Sequence, residues 1–292
     1  MNAIYYREKG SELIHEEIVP AGKIMNWLYG TVVGKASLNL LLKRKLITQI
    51  VGKFMDSKFS KKHAYDFIEK YKLDMSEYEQ KLYKNFNDFF YRKIVPEKRE
   101  IEKGLVSPAD GKILAFQSLS DVDKFCIKGC EFSVDSFLCN KELADKYRDG
   151  AMVIVRLAPT DYHRFHFPAD GIISETESIK GHYYSVSPLA LRRSLEIFCR
   201  NHRTISTLET KEYGDVMISE IGATMVGSII QTYNVNDEVA KGQEKGYFAF
   251  GGSTLLMLFE KGKVCIEKEF LNNTEQGYET KIQMGQRIGD TC

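Results

Sequence analysis

Tyr247-Phe248-Ala249-Phe250-Gly251-Gly252-Ser253-Thr254-Leu255-Leu256-Met257-Leu258-Phe259 is the stretch whose reading decides the fold. The aromatic and apolar residues on either side read as strands, and the Gly-Gly-Ser-Thr between them as a strand edge or turn. Glycine lets the backbone take crowded or strained geometry and lets other groups come close. A serine hydroxyl held there can attack the carbonyl just before it. The Gly252-Ser253 bond is therefore a candidate point of self-cleavage, and the new chain end a candidate carrier of chemistry.

Working outward, the chain has two textures. From Leu105 onward, Asp110-Gly111, Asp170-Gly171, Lys241-Gly242 and Lys261-Gly262 are turn signals between short apolar or alternating runs. Two helices interrupt them. One lies near Ser133–Tyr147, and the other starts at an N-cap Ser187 with Pro188 at its first position and runs to about Arg200. Up to Gly104 the period is helical: Ile24, Trp27, Leu28 and Thr31, then Leu38, Leu41 and Leu42, then Phe86, Phe89, Phe90 and Ile94 before Pro96. The pattern predicts an α+β protein, with a helical, basic region over 1–104 and a β-rich catalytic domain over 105–292. One echo stands out. Ser107-Pro-Ala-Asp-Gly111 and Phe167-Pro-Ala-Asp-Gly171 share Pro-Ala-Asp-Gly. It predicts pseudo-symmetric hairpins of barrel-like character, with only one of Asp110 and Asp170 needed for chemistry.

The 292 residues are 43% apolar, enough for one large domain or two modest ones. Net charge is only +1, but residues 1–104 carry 20 Lys and Arg against 14 Asp and Glu, and the remainder 21 against 26. A basic front and an acidic rear suggest that the front faces something anionic, a membrane or nucleic acid; most of its helical residues are expected to pack on a core, and Trp27–Lys45 is the stretch to test for lipid contact. The apolar run 31–42 is too short to span a bilayer and ends in Lys43-Arg44-Lys45. Glu8, Glu12, Glu16 and Glu17 argue against a mitochondrial transit peptide. The six cysteines, at 126, 130, 139, 199, 265 and 292, form no dense framework, so reduced thiols are the expectation. No third ligand accompanies Cys126 and Cys130, and no metal site is expected.

Two of six histidines stand together in Asp161-Tyr-His163-Arg-Phe-His166-Phe-Pro168. Three-residue spacing puts both on one side of a helical turn or on opposite faces of a strand. Acid–base chemistry fits the pair better than metal binding does. A serine, a histidine and an aspartate are the parts of a Ser-His-Asp relay in the order Asp110, His163 or His166, Ser253. No Gly-x-Ser-x-Gly surrounds Ser253, which disfavours an ordinary hydrolase. A lipid-binding module without enzymatic activity is the third reading.

Together, Phe86-Asn-Asp-Phe-Phe-Tyr-Arg92, Ser107-Pro-Ala-Asp-Gly111, Asp161–Pro168, Gly181-His-Tyr-Tyr-Ser-Val-Ser-Pro188 and Gly251-Gly-Ser-Thr254 resemble the phosphatidylserine decarboxylases, a pyruvoyl-dependent family, in its order of motifs. The resemblance implies that Ser253 is cut from Gly252 and becomes the pyruvoyl cofactor, which forms a Schiff base with phosphatidylserine. It implies that Asp110 and His166 activate the cut and that His163 serves decarboxylation and protonation. Asp170 has no such counterpart. Tyr183, Tyr184 and Val186 are the pocket candidates. The implied assembly is a heterodimer of chains 1–252 and 253–292, or a higher oligomer of it. It needs no metal and no nucleic acid, and it sits peripherally on the cytoplasmic face of the cell membrane.

Overall fold

The computed structural model describes residues 5–17, 52–122, 132–186, 195–223, 228–251 and 253–292. In chain order the elements are β1 (Tyr5–Glu8), β2 (Ile14–Glu16), α1 (Lys61–Tyr71), α2 (Phe86–Phe90), β3 (Leu105–Val106), β4 (Gly111–Phe116), α3 (Val134–Leu138) and α4 (Lys141–Tyr147). There follow β5 (Met152–Leu157), β6 (Arg164–His166), β7 (Gly171–Ile173), β8 (Glu177–Ile179), α5 (Glu196–Arg200), β9 (Arg203–Glu209) and β10 (Asp215–Gly222). The chain ends with β11 (Ile229–Gln231), β12 (Glu238–Val239), β13 (Glu244–Phe248), β14 (Ser253–Leu258), β15 (Val264–Ile266), α6 (Lys268–Glu275), β16 (Glu279–Ile282) and β17 (Arg287–Thr291). The architecture is mixed α+β, dominated by sheet.

The main sheet runs β12-β7-β9-β10-β14-β5-β4-β16-β1-β2, with β8 also paired to β9. The path has two ends, so among the described residues the sheet is open and forms no closed barrel. Two three-stranded sheets, β11-β13-β6 and β15-β17-β3, complete the β structure. The unbroken apolar run after Ser253 is explained by β14's place in the middle. Leu255 and Met257 enter one core with Val153, Val155, Val216 and Ile218. Leu256 and Leu258 enter the other with Met152, Ile154, Met217 and Ile221. A strand buried on both faces has no polar alternation to show.

Several expectations change in detail. Tyr5–Glu8 and Ile14–Glu16 are strands, not helix, and β1 joins the main sheet parallel to β16. The periodic segments over Ile24–Leu42, with Trp27–Lys45, lie outside the described residues, as do Ser187, Pro188, Cys126 and Cys130. The helix expected over 133–147 is two, because Cys139 is left-handed (φ 52°) and Asn140 caps a fresh start through Leu143 N–H. Cys265 and Cys292 are disulfide-bonded, against the reduced-thiol expectation. Antiparallel β15 and β17 bring their Cα atoms within 4.8 Å, a separation the bond accepts. Cys139 and Cys199 are free thiols.

The Pro-Ala-Asp-Gly echo is physical. Val106 N–H donates to Pro168 O at 3.1 Å, and His166 N–H to Pro108 O at 2.8 Å, so each turn receives the strand before the other. Asp110 accepts from Met284 N–H at 2.8 Å and Asp170 from Lys241 N–H at 2.6 Å. The next residues, Gly285 (φ 90°) and Gly242 (φ 80°), donate to Ser107 O and Phe167 O. Both positions need a backbone that side chains resist.

A buried ionic cluster fastens the N-terminal arm. Arg156 bonds Glu279 at 2.9 and 2.5 Å and Glu17 at 3.2 and 2.6 Å, while Lys112 reaches Glu17 at 3.1 Å. Arg156→Met leaves two buried carboxylates short of their partner. We expect a loss of about 3–5 kcal/mol in urea unfolding of the chain carrying Ser253→Ala; a change below ~1 kcal/mol contradicts this account of the cluster.

Candidate active site

Ser253 opens β14 opposite Gly222 of β10 on one side and Leu157 of β5 on the other. It is 0% exposed, and its Oγ has no hydrogen-bond partner among the described residues. An unpaired buried hydroxyl is a standing cost of about 1–3 kcal/mol, one that Ser253 shares with Tyr147, Ser206, Ser219 and Thr254. Gly251 carries φ 145°, a backbone region that suits glycine. Gly252 lies outside the described residues. Tyr183 stands at the paired glycine: its ring carbon Cε1 is 3.6 Å from where a Cβ on Gly222 would be.

His163 immediately precedes β6 and His166 is its last residue, so the strand alternative of the spacing holds and they meet different neighbours. His163 ring Nδ1 lies 2.9 Å from Asp161 O. A carbonyl can only accept, so Nδ1 carries the proton and Nε2 holds a lone pair. That Nε2 is buried with no partner among the described residues. The ring lies against Phe90, with centroids 3.8 Å apart. Burial first, then the Arg92 charge, pushes the His163 pKa down to about 3, only partly opposed by the Asp161 carbonyl.

His166 is engaged at both nitrogens. Nδ1 donates to Gly242 O at 2.8 Å, and Nε2 accepts from the Tyr162 hydroxyl at 3.0 Å. Burial lowers its pKa too, against the Gly242 carbonyl and the charges of Glu244 and Asp110. Asp110 is held by Arg99 through both oxygens, at 2.6 and 2.9 Å, as well as by Met284 N–H. Burial works against the Arg99 charge, but Asp110 and Glu77 outweigh it and push its pKa up. The direct Asp110–His166 pairing of a Ser-His-Asp relay is thus replaced by two separate sets of partners. The two residues remain close in the fold, since His166 N–H bonds Pro108 O.

The loop with the pocket candidates is tied to β10 by Asn201. Its side chain accepts from Tyr184 N–H at 3.0 Å and donates to Tyr184 O at 2.8 Å and Gly222 O at 2.9 Å. Tyr183 is thereby kept beside the residue opposite Ser253, whereas Val186 packs into the second core. Tyr184 is half-buried against His182. Among the described residues no group of three or more His, Cys, Asp or Glu stands together as a metal-ligand set. Sequence reasoning missed Arg99, Tyr162 and Asn201. Arg99 sits in Glu97-Lys98-Arg99-Glu100, which reads as a solvated charge run, yet its side chain is only 5% exposed.

Fold and site together define a mixed α+β protein centred on a buried, unpaired serine that follows glycines and shares the molecule with two neutral histidines. The sequence pattern of the phosphatidylserine decarboxylases matches residues 86–290. The phosphatidylserine decarboxylase proenzyme of Fusobacterium nucleatum is 48% identical over 291 residues, covering 98% of this chain and 97% of that one. The proenzymes of Clostridium novyi and of Clostridium botulinum strain Alaska E43 are 44% and 45% identical, each alignment covering 94% of both chains. The chain belongs to the phosphatidylserine decarboxylase family.

The histidine environment predicts a pH dependence. Below pH 6.5 the unfolded chain takes up a proton at His163 that the folded chain refuses until about pH 3. Stability therefore rises with pH through that window and is lost as pH falls. With Ser253→Ala as background, His163→Gln is expected to make the urea-unfolding free energy less steep between pH 6.5 and 5.5, by up to about 1.4 kcal/mol per pH unit. Equal slopes contradict the buried neutral imidazole.

Proposed function

We propose that this chain is a self-processing phosphatidylserine decarboxylase whose catalytic group is made from Ser253. The observation that carries the reading is the buried Ser253 hydroxyl, unpaired at the head of a central strand, in a family whose relatives are named proenzymes. In the cut, Ser253 Oγ loses its proton and bonds to the Gly252 carbonyl carbon. The C–N bond breaks, and the amide becomes an ester with a free amine at 253. Loss of the Cα proton and cleavage of Cβ–Oγ then release Gly252 as a carboxylate and leave dehydroalanine. Water replaces its nitrogen, which departs as ammonia, and the new end is a pyruvoyl group.

That group would supply a ketone carbonyl able to condense with an amine and draw off electrons, which no side chain of the twenty offers. The residues around it fit a small, covalently attached keto group: Ser253 is buried, and its paired neighbour Gly222 contributes no side chain. The rest is the work of the protein. Tyr183 and Tyr184, with Val186 behind them, border the headgroup. His163 holds or moves a proton at Nε2 while phosphatidylserine loses carbon dioxide and becomes phosphatidylethanolamine. Asp110 and His166 serve the cut, His166 through the Tyr162 hydroxyl that holds its Nε2. One observation favours the reverse assignment of the histidines: the imidazole lone pair without a partner belongs to His163.

The mature form is a heterodimer of 1–252 and 253–292, with 105–292 as the catalytic part and the basic front region against an anionic membrane, peripherally and on the cytoplasmic face. In support, Phe59 and Leu82 are 85% and 80% exposed, among the exposed Lys58, Lys61, Lys62 and Lys81. Among the described residues no helix is long and apolar enough to cross a membrane.

Intact-mass spectrometry tests the cut: wild type yields 1–252 and 253–292, and Ser253→Ala stays whole. A wild-type chain that remains whole overturns the reading. His166→Ala and Asp110→Asn are expected to slow the cut by ~10²–10⁴-fold. His163→Ala is expected to cut but to release no carbon dioxide from phosphatidylserine vesicles. Whole His163→Ala with cut His166→Ala establishes the reverse assignment.

A further inference from the structure

Helix α2 begins with Asn85 as cap, whose side chain accepts from Asp88 N–H at 2.8 Å. The next-but-one residue, Asn87, is 1% exposed and uses both ends of its amide. Nδ2 donates to Asp56 Oδ1 at 2.8 Å, and Oδ1 accepts from Phe250 N–H at 2.9 Å. The Asp56 carboxylate can only accept, so it fixes which way the amide faces and turns the oxygen to Phe250. The Phe250 ring is gripped as well. It stands edge-on to Phe86 at 5.0 Å and to Phe90 at 5.2 Å, with interplanar angles of 83° and 74°. Phe90 is also the ring lying on His163.

Phe250 is three residues ahead of Ser253. Its backbone N–H is satisfied by a side chain 163 positions away, not by a strand neighbour. The chain between is thus strung between two fixed points that belong to different elements. Ser253 is fixed by the ladders to β10 and β5, and Phe250 by α2. Gly251, next to Phe250, has φ 145°.

We propose that Asn87, oriented by Asp56, is a positioning residue for self-cleavage: its amide oxygen anchors Phe250 so that the peptide bond before Ser253 is presented to the Ser253 hydroxyl. The proposal rests on the self-cleavage reading and adds to it the element that sets the geometry of the cut. Among the described residues, the Asn87 side chain bonds Asp56 and Phe250 and not Ser253. Its effect runs through orientation, where misplacement by about an ångström costs up to ~10²-fold.

The test follows the disappearance of the whole chain by intact mass after cell-free synthesis, with rates corrected for the folded fraction of each variant, measured by urea unfolding with Ser253→Ala. Asn87→Ala is expected to slow the cut by about 10- to 100-fold. Asn87→Asp keeps an acceptor for Phe250 but sets two carboxylates face to face, and is expected to be slow as well. Adding Asp56→Asn to Asn87→Asp rebuilds both hydrogen bonds with the partners exchanged, and is expected to restore the rate to within about threefold of wild type. A merely structural Asn87 changes unfolding without changing the corrected rate. That outcome, or failure of the exchanged pair to recover, overturns the proposal while wild type is still cut. A wild type that stays whole overturns the self-cleavage reading and this proposal with it.

Discussion

Burial of the Ser253 hydroxyl without a partner is the constraint around which the rest is arranged. It follows from placing a serine at the start of a strand with neighbours on both sides and apolar cores on both faces. The same dry surroundings act on the histidines. Desolvation disfavours imidazolium, so His163 and His166 are held neutral, and a neutral imidazole has a lone pair to offer. Backbone carbonyls at Asp161 and Gly242 then choose the nitrogen, each taking the Nδ1 proton and leaving Nε2 as acceptor. One physical condition yields both an unsolvated hydroxyl and two neutral imidazoles. The price is paid as stability on the acid side.

The pseudo-symmetric turns explain why two equal-looking aspartates are not equal. Asp110 and Asp170 each close a turn through a backbone N–H of a segment ending in Gly-Gln, Met284-Gly285-Gln286 for one and Lys241-Gly242-Gln243 for the other. The local frames match bond for bond. What differs is the surroundings: Arg99 grips Asp110 at both oxygens and is itself anchored to Glu77, whereas Asp170 is exposed. A duplicated frame supplies two identical turns, and an added segment from before β3 gives one of them an arginine partner and encloses it. The other turn serves the histidine instead, through the Gly242 carbonyl.

Local signals were legible wherever short-range physics decides the structure. The glycine-serine edge, the Asp-Gly turns, the Phe86–Phe90 face and the paired histidines are all where the letters put them, because turn chemistry and apolar runs act over a few residues. Partners set by long-range contact were not legible. Nothing in Glu97-Lys98-Arg99-Glu100 distinguishes the arginine that meets Asp110, and nothing near Asn87 names Phe250. The strands at 5–16 were hidden because a short strand at a sheet edge needs no periodicity of its own and takes its register from β16. The disulfide was hidden for a similar reason, since the 27-residue separation of its cysteines becomes contact only through the β15–β17 pairing. The open sheet follows from the same limit: hairpin repeats signal duplication, but closure depends on whether the outermost strands meet.

A cut between 252 and 253 removes no ladder from this topology. β14 keeps β10 and β5, β16 lies between β4 and β1, and β17 holds β3, so three strands of the short piece are bonded to strands of the long one. The ionic contacts cross in the same way, with Arg156 on one piece and Glu279 on the other. Phe250, upstream of the bond, is held by Asn87 of α2, and Ser253, downstream of it, is the first residue of β14. A fold whose stability lies in pairings on either side of the bond can give up that bond without giving up its structure. That is the condition a residue must meet if it is to be a serine during folding and something else during work.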